Sequence, residues 1–206
     1  MVFDVLLEKL GQFPILDIAT VSQISDEPKQ NVRVQLHRWI KSGRVLPLRR
    51  GMYTLADRYR RRELSPLFVA NEIYRPSYLS GLWVLSFFGL IPEMVTTYTS
   101  VTPRVPRSFT NHLGTYRYSH VKQGFFFGFG RKEVQGTQIW LADPEKALLD
   151  YWHLESGEWT KDRLMTMRFQ QGDIIELQKL LDYAGRFSSP RLLRTVQNWS
   201  AVVENT

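Results

Sequence analysis

The chain has 206 residues, 43% of them apolar and 13% aromatic, enough to bury a sizeable core in one large domain or two small ones. It contains no cysteine, which excludes disulfides, Cys-ligated zinc and thiol chemistry and agrees with a reducing compartment. The net charge of +7 points to an anionic partner and is placed unevenly: residues 1–62 hold 12 Lys/Arg against 6 Asp/Glu, whereas residues 63–206 hold 15 against 14.

Val2, Val5, Leu6 and Leu10 fall at helical spacing and Gly11 follows as a stop, which predicts a first helix over 2–10. A second short helix is expected over 15–24, with Ile15, Ile18, Ala19 and Val21 inward. Ser25 or Asp26 can cap a third, Pro28 suits its first turn, and Gly43 ends it. On this third helix Val32, Leu36, Trp39 and Ile40 share one face, while Gln30, Asn31, Val34, His37, Arg38 and Lys41 share the other. An outward face of cations and amides suits the major groove of duplex DNA. Arg and Lys reach guanine acceptors, Asn and Gln pair with adenine, and Val34 meets a thymine methyl. Lys29 and Arg33 are placed to grip phosphates and set register.

Residues 44–48 and 52–55 then read as two strands joined by Arg49-Arg50-Gly51. Three helices and a basic-tipped hairpin predict a winged helix-turn-helix over 1–62, with Arg49 and Arg50 against a phosphate strand. Arg58, Arg60, Arg61 and Arg62 close this unit, either as further phosphate contacts or as a solvated linker.

Residues 63–206 are expected to form a mixed α/β domain with a helical tail, so the fold class is α+β. Helices are predicted over 64–73 and, buried, over 78–90, followed by strands at 94–101, 114–120, 124–130 and 138–142. Asp143 caps the next helix, Pro144 opens it, and it runs to His153; further helical patterns cover 161–169, 173–184 and 190–199. The apolar run at 78–92 is too short and too broken by Ser and Gly to span a membrane. Asp4 and Glu8 interrupt any signal-peptide pattern, so the expected location is the cytoplasm.

Four motifs occur in order: Ser77-Tyr78-Leu79-Ser80-Gly81-Leu82, Gly89-Leu90-Ile91-Pro92-Glu93, Thr99-Ser100-Val101-Thr102, and Pro144-Glu145-Lys146-Ala147-Leu148-Leu149-Asp150. With the hairpin at Arg49-Arg50-Gly51-Met52-Tyr53, the set resembles the AbiE-type abortive-infection antitoxins over roughly residues 1–155. That resemblance implies an antitoxin and transcriptional repressor of a type IV toxin-antitoxin system. Its winged domain would bind inverted repeats in its own promoter, and its second domain would counteract a nucleotidyltransferase toxin.

Two other readings start from residues alone. Asp143, Glu145 and Lys146 are the residue types of a metal-dependent nuclease, but no upstream acidic residue completes a site. Phe125, Phe127 and Phe129 alternate as in base-stacking RNA-binding sheets, although Phe126 stands where that pattern wants a small residue. His112, His120 and His153 show no metal-ligand spacing, and no Walker loop, dinucleotide glycine pattern or serine elbow occurs. The expectation is a DNA-binding protein without catalysis, metal or cofactor.

Overall fold

The computed structural model describes residues 3–203. The chain is mixed α+β, with nine helices and two sheets among the described residues. It forms two compact units, Met1–Val69 with Phe109–Leu113, and Ala70–Ser108 with Gly114–Thr206.

The first unit runs α1 (Phe3–Leu10), β1 (Leu16–Asp17), α2 (Ile18–Ser25), α3 (Lys29–Lys41), β2 (Val45–Arg49) and β3 (Met52–Leu55). Its three strands order β1-β3-β2, all antiparallel. Phe3, Leu6 and Leu10 of α1, Leu16 and Val21, Val32, Leu36 and Trp39 of α3, and Val45 and Leu55 of the hairpin form one core. The Trp39 ring meets Phe3 edge-on at 5.4 Å, so α3 is locked to α1 along the apolar stripe its sequence predicts.

Several local expectations need correcting. Val5 is 37% exposed and Phe3 takes the inward place, because helical spacing through Leu6 and Leu10 passes through position 3. Val2 lies outside the described residues. The second helix begins at Ile18, since Leu16 and Asp17 pair with Tyr53 and Met52 of β3. Asp17 is its cap: Oδ1 accepts from the Ala19 and Thr20 amides at 2.9 and 3.0 Å. Partial burial pushes that carboxyl up, but these bonds and the Thr20 hydroxyl outweigh it and hold it below its ordinary value. Ser25 and Asp26 do not cap α3. They end α2, with Asp26 in the left-handed region at φ 53°, and Pro28 occupies the position before α3.

The second unit carries most of a six-stranded mixed sheet in the order β6-β7-β5-β4-β9-β8. Its strands are β4 (Tyr78–Leu79), β5 (Thr97–Thr102), β6 (Arg107–Asn111), β7 (Gly114–His120), β8 (Phe129–Val134) and β9 (Thr137–Ala142). Helix α4 (Pro66–Glu72) begins in the first unit, and the helices wholly within the second are α5 (Leu82–Phe87), α6 (Pro144–Leu154), α7 (Lys161–Thr166), α8 (Leu177–Arg186) and α9 (Pro190–Val203).

The run at 78–90 is not one helix. Tyr78 and Leu79 pair with β5 on one side and, through Leu79, with β9 on the other, leaving only six residues for α5. A run apolar on all sides has no periodicity to separate a buried strand from a buried helix. Residues 124–130 are likewise not a strand: a 3-10 turn covers Gln123–Phe125 and β8 begins only at Phe129. The edge strands β6 and β8 are polar and carry no clear alternation, so neither is anticipated in full. Asp143 does precede α6, but its carboxylate turns away from the helix to Lys132, Lys179 and Tyr183.

Candidate nucleic-acid interface

In α3 the buried residues Val32, Leu36 and Trp39 fix the helix's rotation, and this turns Lys29, Gln30, Asn31, Arg33, Val34, His37, Arg38 and Lys41 outward, all exposed. Val34 is 45% exposed at the middle of that face. Gln35 is held at the border by its amide, which donates to Glu27 at 2.8 Å. Pro28 precedes α3 and offers no side-chain cap, so the first N–H groups of the helix have no capping side chain there.

The hairpin turn brings its own cations. Gly51 sits at φ 82°, which closes the tight turn between β2 and β3. Arg50 is exposed, while Arg49 is half-buried and its Nη1 donates to the Arg50 carbonyl at 3.1 Å. Arg33 of α3 and Arg50 of the turn line one concave surface of about 610 Å³, together with Ile18, Gly51 and Tyr53. Ile18 and Tyr53 were not anticipated there, since neither breaks the apolar pattern of its element. On β2 the Leu48 carbonyl accepts from the Asn111 side chain at 3.2 Å, an anchor that lies 63 residues away in sequence.

The arginines at 58–62 divide by environment. Arg61 and Arg62 are exposed, Arg58 lies over the Tyr59 ring at 4.8 Å, and the Arg60 side chain is largely buried, guanidinium included, and ion-paired with Asp57. Burial, and then the Arg60 charge, hold His112 below the ordinary imidazole value, against a weaker opposite pull from Asp57.

In the second unit three of the four ordered motifs meet, whereas Pro92 and Glu93 of the remaining one are exposed. Asp150 Oδ2 accepts from the Ser80 hydroxyl at 2.7 Å and from the Tyr78 phenol at 2.9 Å, and Oδ1 pairs with Lys146. Thr99 donates its hydroxyl to the Ser80 carbonyl at 2.5 Å and accepts from the Trp83 amide at 3.1 Å. Lys146 and Asp150 are both fully buried. The candidate nuclease residues therefore do not share a site: Asp143 and Glu145 bind Lys179 at 3.2 and 3.0 Å, while Lys146 turns to Asp150. No group of three or more His, Cys, Asp or Glu among the described residues is arranged to hold a metal ion.

The phenylalanines scatter as well. Phe125 stacks on Phe187 at 4.5 Å, Phe127 meets Tyr183 edge-on at 5.2 Å, and Phe129 stacks on Tyr78 at 4.1 Å, so they form no common stacking face. His120 ends β7, and His153 lies inside α6 between Phe125 and Phe187. No helix among the described residues is long and apolar enough to cross a membrane. Compared with models of known protein families and with curated proteins, the chain matches none.

Proposed function

We propose that the first unit is a winged helix-turn-helix that binds promoter DNA, with α3 in the major groove and the β2–β3 turn as the wing. The observation that carries this is the shared concavity of Arg33 and Arg50 beside the outward cation-and-amide face of α3. Gln30, Asn31, Val34 and Arg38 read bases; Lys29, Arg33, Lys41 and Arg50 hold phosphates, and Arg49 stiffens the turn. The open N-terminus of α3 adds donors suited to a phosphate.

A gel-shift titration against the upstream duplex tests it. Replacing Arg49 and Arg50 together by alanine should weaken binding and lower the salt slope by about 1, for the one phosphate contact of Arg50. An unchanged affinity and slope would remove the wing.

The second unit is proposed to supply antitoxin activity against a nucleotidyltransferase toxin, making the whole an autoregulating type IV antitoxin of the cytoplasm. This rests on the ordered motifs from Ser77 to Asp150. Coexpression with an adjacent nucleotidyltransferase gene should restore growth, and failure to do so would leave a DNA-binding protein only.

A further inference from the structure

A groove of about 360 Å³ opens on the second unit, and its walls include Arg75, Ser77, Phe126, Phe129, Arg131 and Trp140. We propose that it binds a nucleotide, free or at the end of a single strand, with the base on Trp140 and the phosphate at Arg131 and Arg75.

The groove is built rather than incidental. Trp140 is a β9 residue 39% exposed, directly opposite Arg131 in the β8–β9 register, and the Arg131 guanidinium lies 5.1 Å from its ring centroid. Asn71 holds the Trp140 backbone from both sides, accepting from its amide at 2.6 Å and donating to its carbonyl at 3.2 Å. Phe129 stands edge-on to Trp140 at 5.8 Å and is itself stacked on buried Tyr78, so the aromatic wall is fixed before any ligand arrives. The Ser77 hydroxyl is buried with no hydrogen-bond partner among the described residues, a group a ligand oxygen would satisfy.

The chemistry selects the ligand class. The volume lies in the range of small-molecule sites. An exposed indole flanked by a guanidinium suits a planar base, and forked N–H donors suit phosphate oxygens. Arg75 is already paired with Glu72, so Arg131 carries the larger share of the anion attraction.

The test titrates the full chain by calorimetry with ATP, GTP, CTP and UTP, and separately with a hexameric oligoriboadenylate. At least one probe should bind more tightly than roughly 1 mM. Trp140→Ala should weaken it about 5- to 150-fold, the range of losing one base-stacking partner, and Trp140→Phe should retain most of the affinity. Arg131→Ala should remove most of the advantage of ATP over adenosine, titrated beside it, with Arg75 supplying the remainder. Binding of free nucleotides alone identifies a soluble ligand, and tighter binding of the oligomer identifies a strand end. Duplex binding by Trp140→Ala should match the parent, which separates this groove from α3. Trp140 and Arg131 are both exposed, and circular dichroism checks that the variants fold. No binding by any probe up to roughly 1 mM, or parent-like affinity in both alanine variants, would overturn the proposal.

Discussion

Asp150→Ala removes the carboxylate that holds Lys146 inside the second unit. Both side chains are 0% exposed, and apart from Asp150 the ammonium faces the rings of Phe127 and Phe187 at 5.0 Å and Tyr78 at 5.6 Å and feels the like charge of Arg186. Burial pushes the Lys146 amine below its ordinary value and the Asp150 charge pulls it back up. Without Asp150 the amine gives up its proton on folding. Neutralising a lysine of ordinary pKa near 10.4 at pH 7 costs at most about 4.6 kcal/mol, at 1.36 kcal/mol per unit. The Tyr78 and Ser80 hydroxyls also lose their acceptor, at about 1–3 kcal/mol each where nothing replaces it. Broken buried pairs generally cost about 3–5 kcal/mol, so with the two hydroxyls the expected loss is about 5–11 kcal/mol. That rivals the whole stability of a domain. In the variant, the unfolded lysine binds a proton that the folded one lacks, so stability should rise with pH, by about 1.4 kcal/mol per unit from pH 7 toward 10. Lys146→Met/Asp150→Leu strands no charge and should recover the part of the loss due to Lys146, leaving only that of the Tyr78 and Ser80 hydroxyls. Urea unfolding followed by tryptophan fluorescence at pH 7 and 9 reads all three proteins. A deficit under about 1 kcal/mol at pH 7, or one that does not shrink at pH 9, would refute this account of the pair.

Two glycines should respond differently to alanine. At Gly128 (φ 70°) a Cβ would meet Tyr183 at 2.9 Å and the Lys146 stem at 3.0 Å, so strain and overpacking together should cost about 2–5 kcal/mol. At Gly51 (φ 82°) nothing lies within 4 Å, and only the backbone term of about 1–2 kcal/mol applies. Thermal unfolding with equal shifts for both would contradict the crowding described around Lys146. Partial burial pushes Asp143 up, but Lys132, Lys179 and Tyr183 outweigh it and hold its carboxyl below 3.8. Its stabilisation is therefore complete above that value and is lost as pH falls below it, so Asp143→Asn should flatten the acid-unfolding curve in that window and leave the slope above it unchanged.

The parts of the fold readable from sequence are those where one face is apolar and the other is not. The stripe through Val32, Leu36 and Trp39 orients α3 correctly, and the turn at Arg50-Gly51 falls between the two expected strands, because amphipathic periodicity and turn chemistry are local signals. Tyr78–Leu79 was not readable as a strand because strands on both sides bury it. Nor was the conversion of Asp143 from helix cap to ion-pair centre, since Lys179 and Tyr183 arrive from α8, 36 and 40 residues later. For the candidate interface, composition placed the cations and helical phase placed the outward face, but only the folded turn shows that Arg33 and Arg50 share a concavity while Arg49 is tied to backbone and Arg60 to Asp57.

The two kinds of recognisable sequence feature therefore serve different ends. Arg50, Arg38 and Val34 are exposed, so changing them alters what the surface can bind with little effect on folding. Tyr78, Ser80, Lys146 and Asp150 stand out as motif residues yet converge on one buried carboxylate, so changing them first alters whether the second unit folds. Loss of growth rescue in Asp150→Ala would follow from unfolding alone and would say nothing about how a toxin is opposed. In the proposed coexpression assay, surface substitutions that keep the parent's unfolding curve, beginning with Arg131 and Trp140 in the groove, are the ones whose effect can be assigned to recognition.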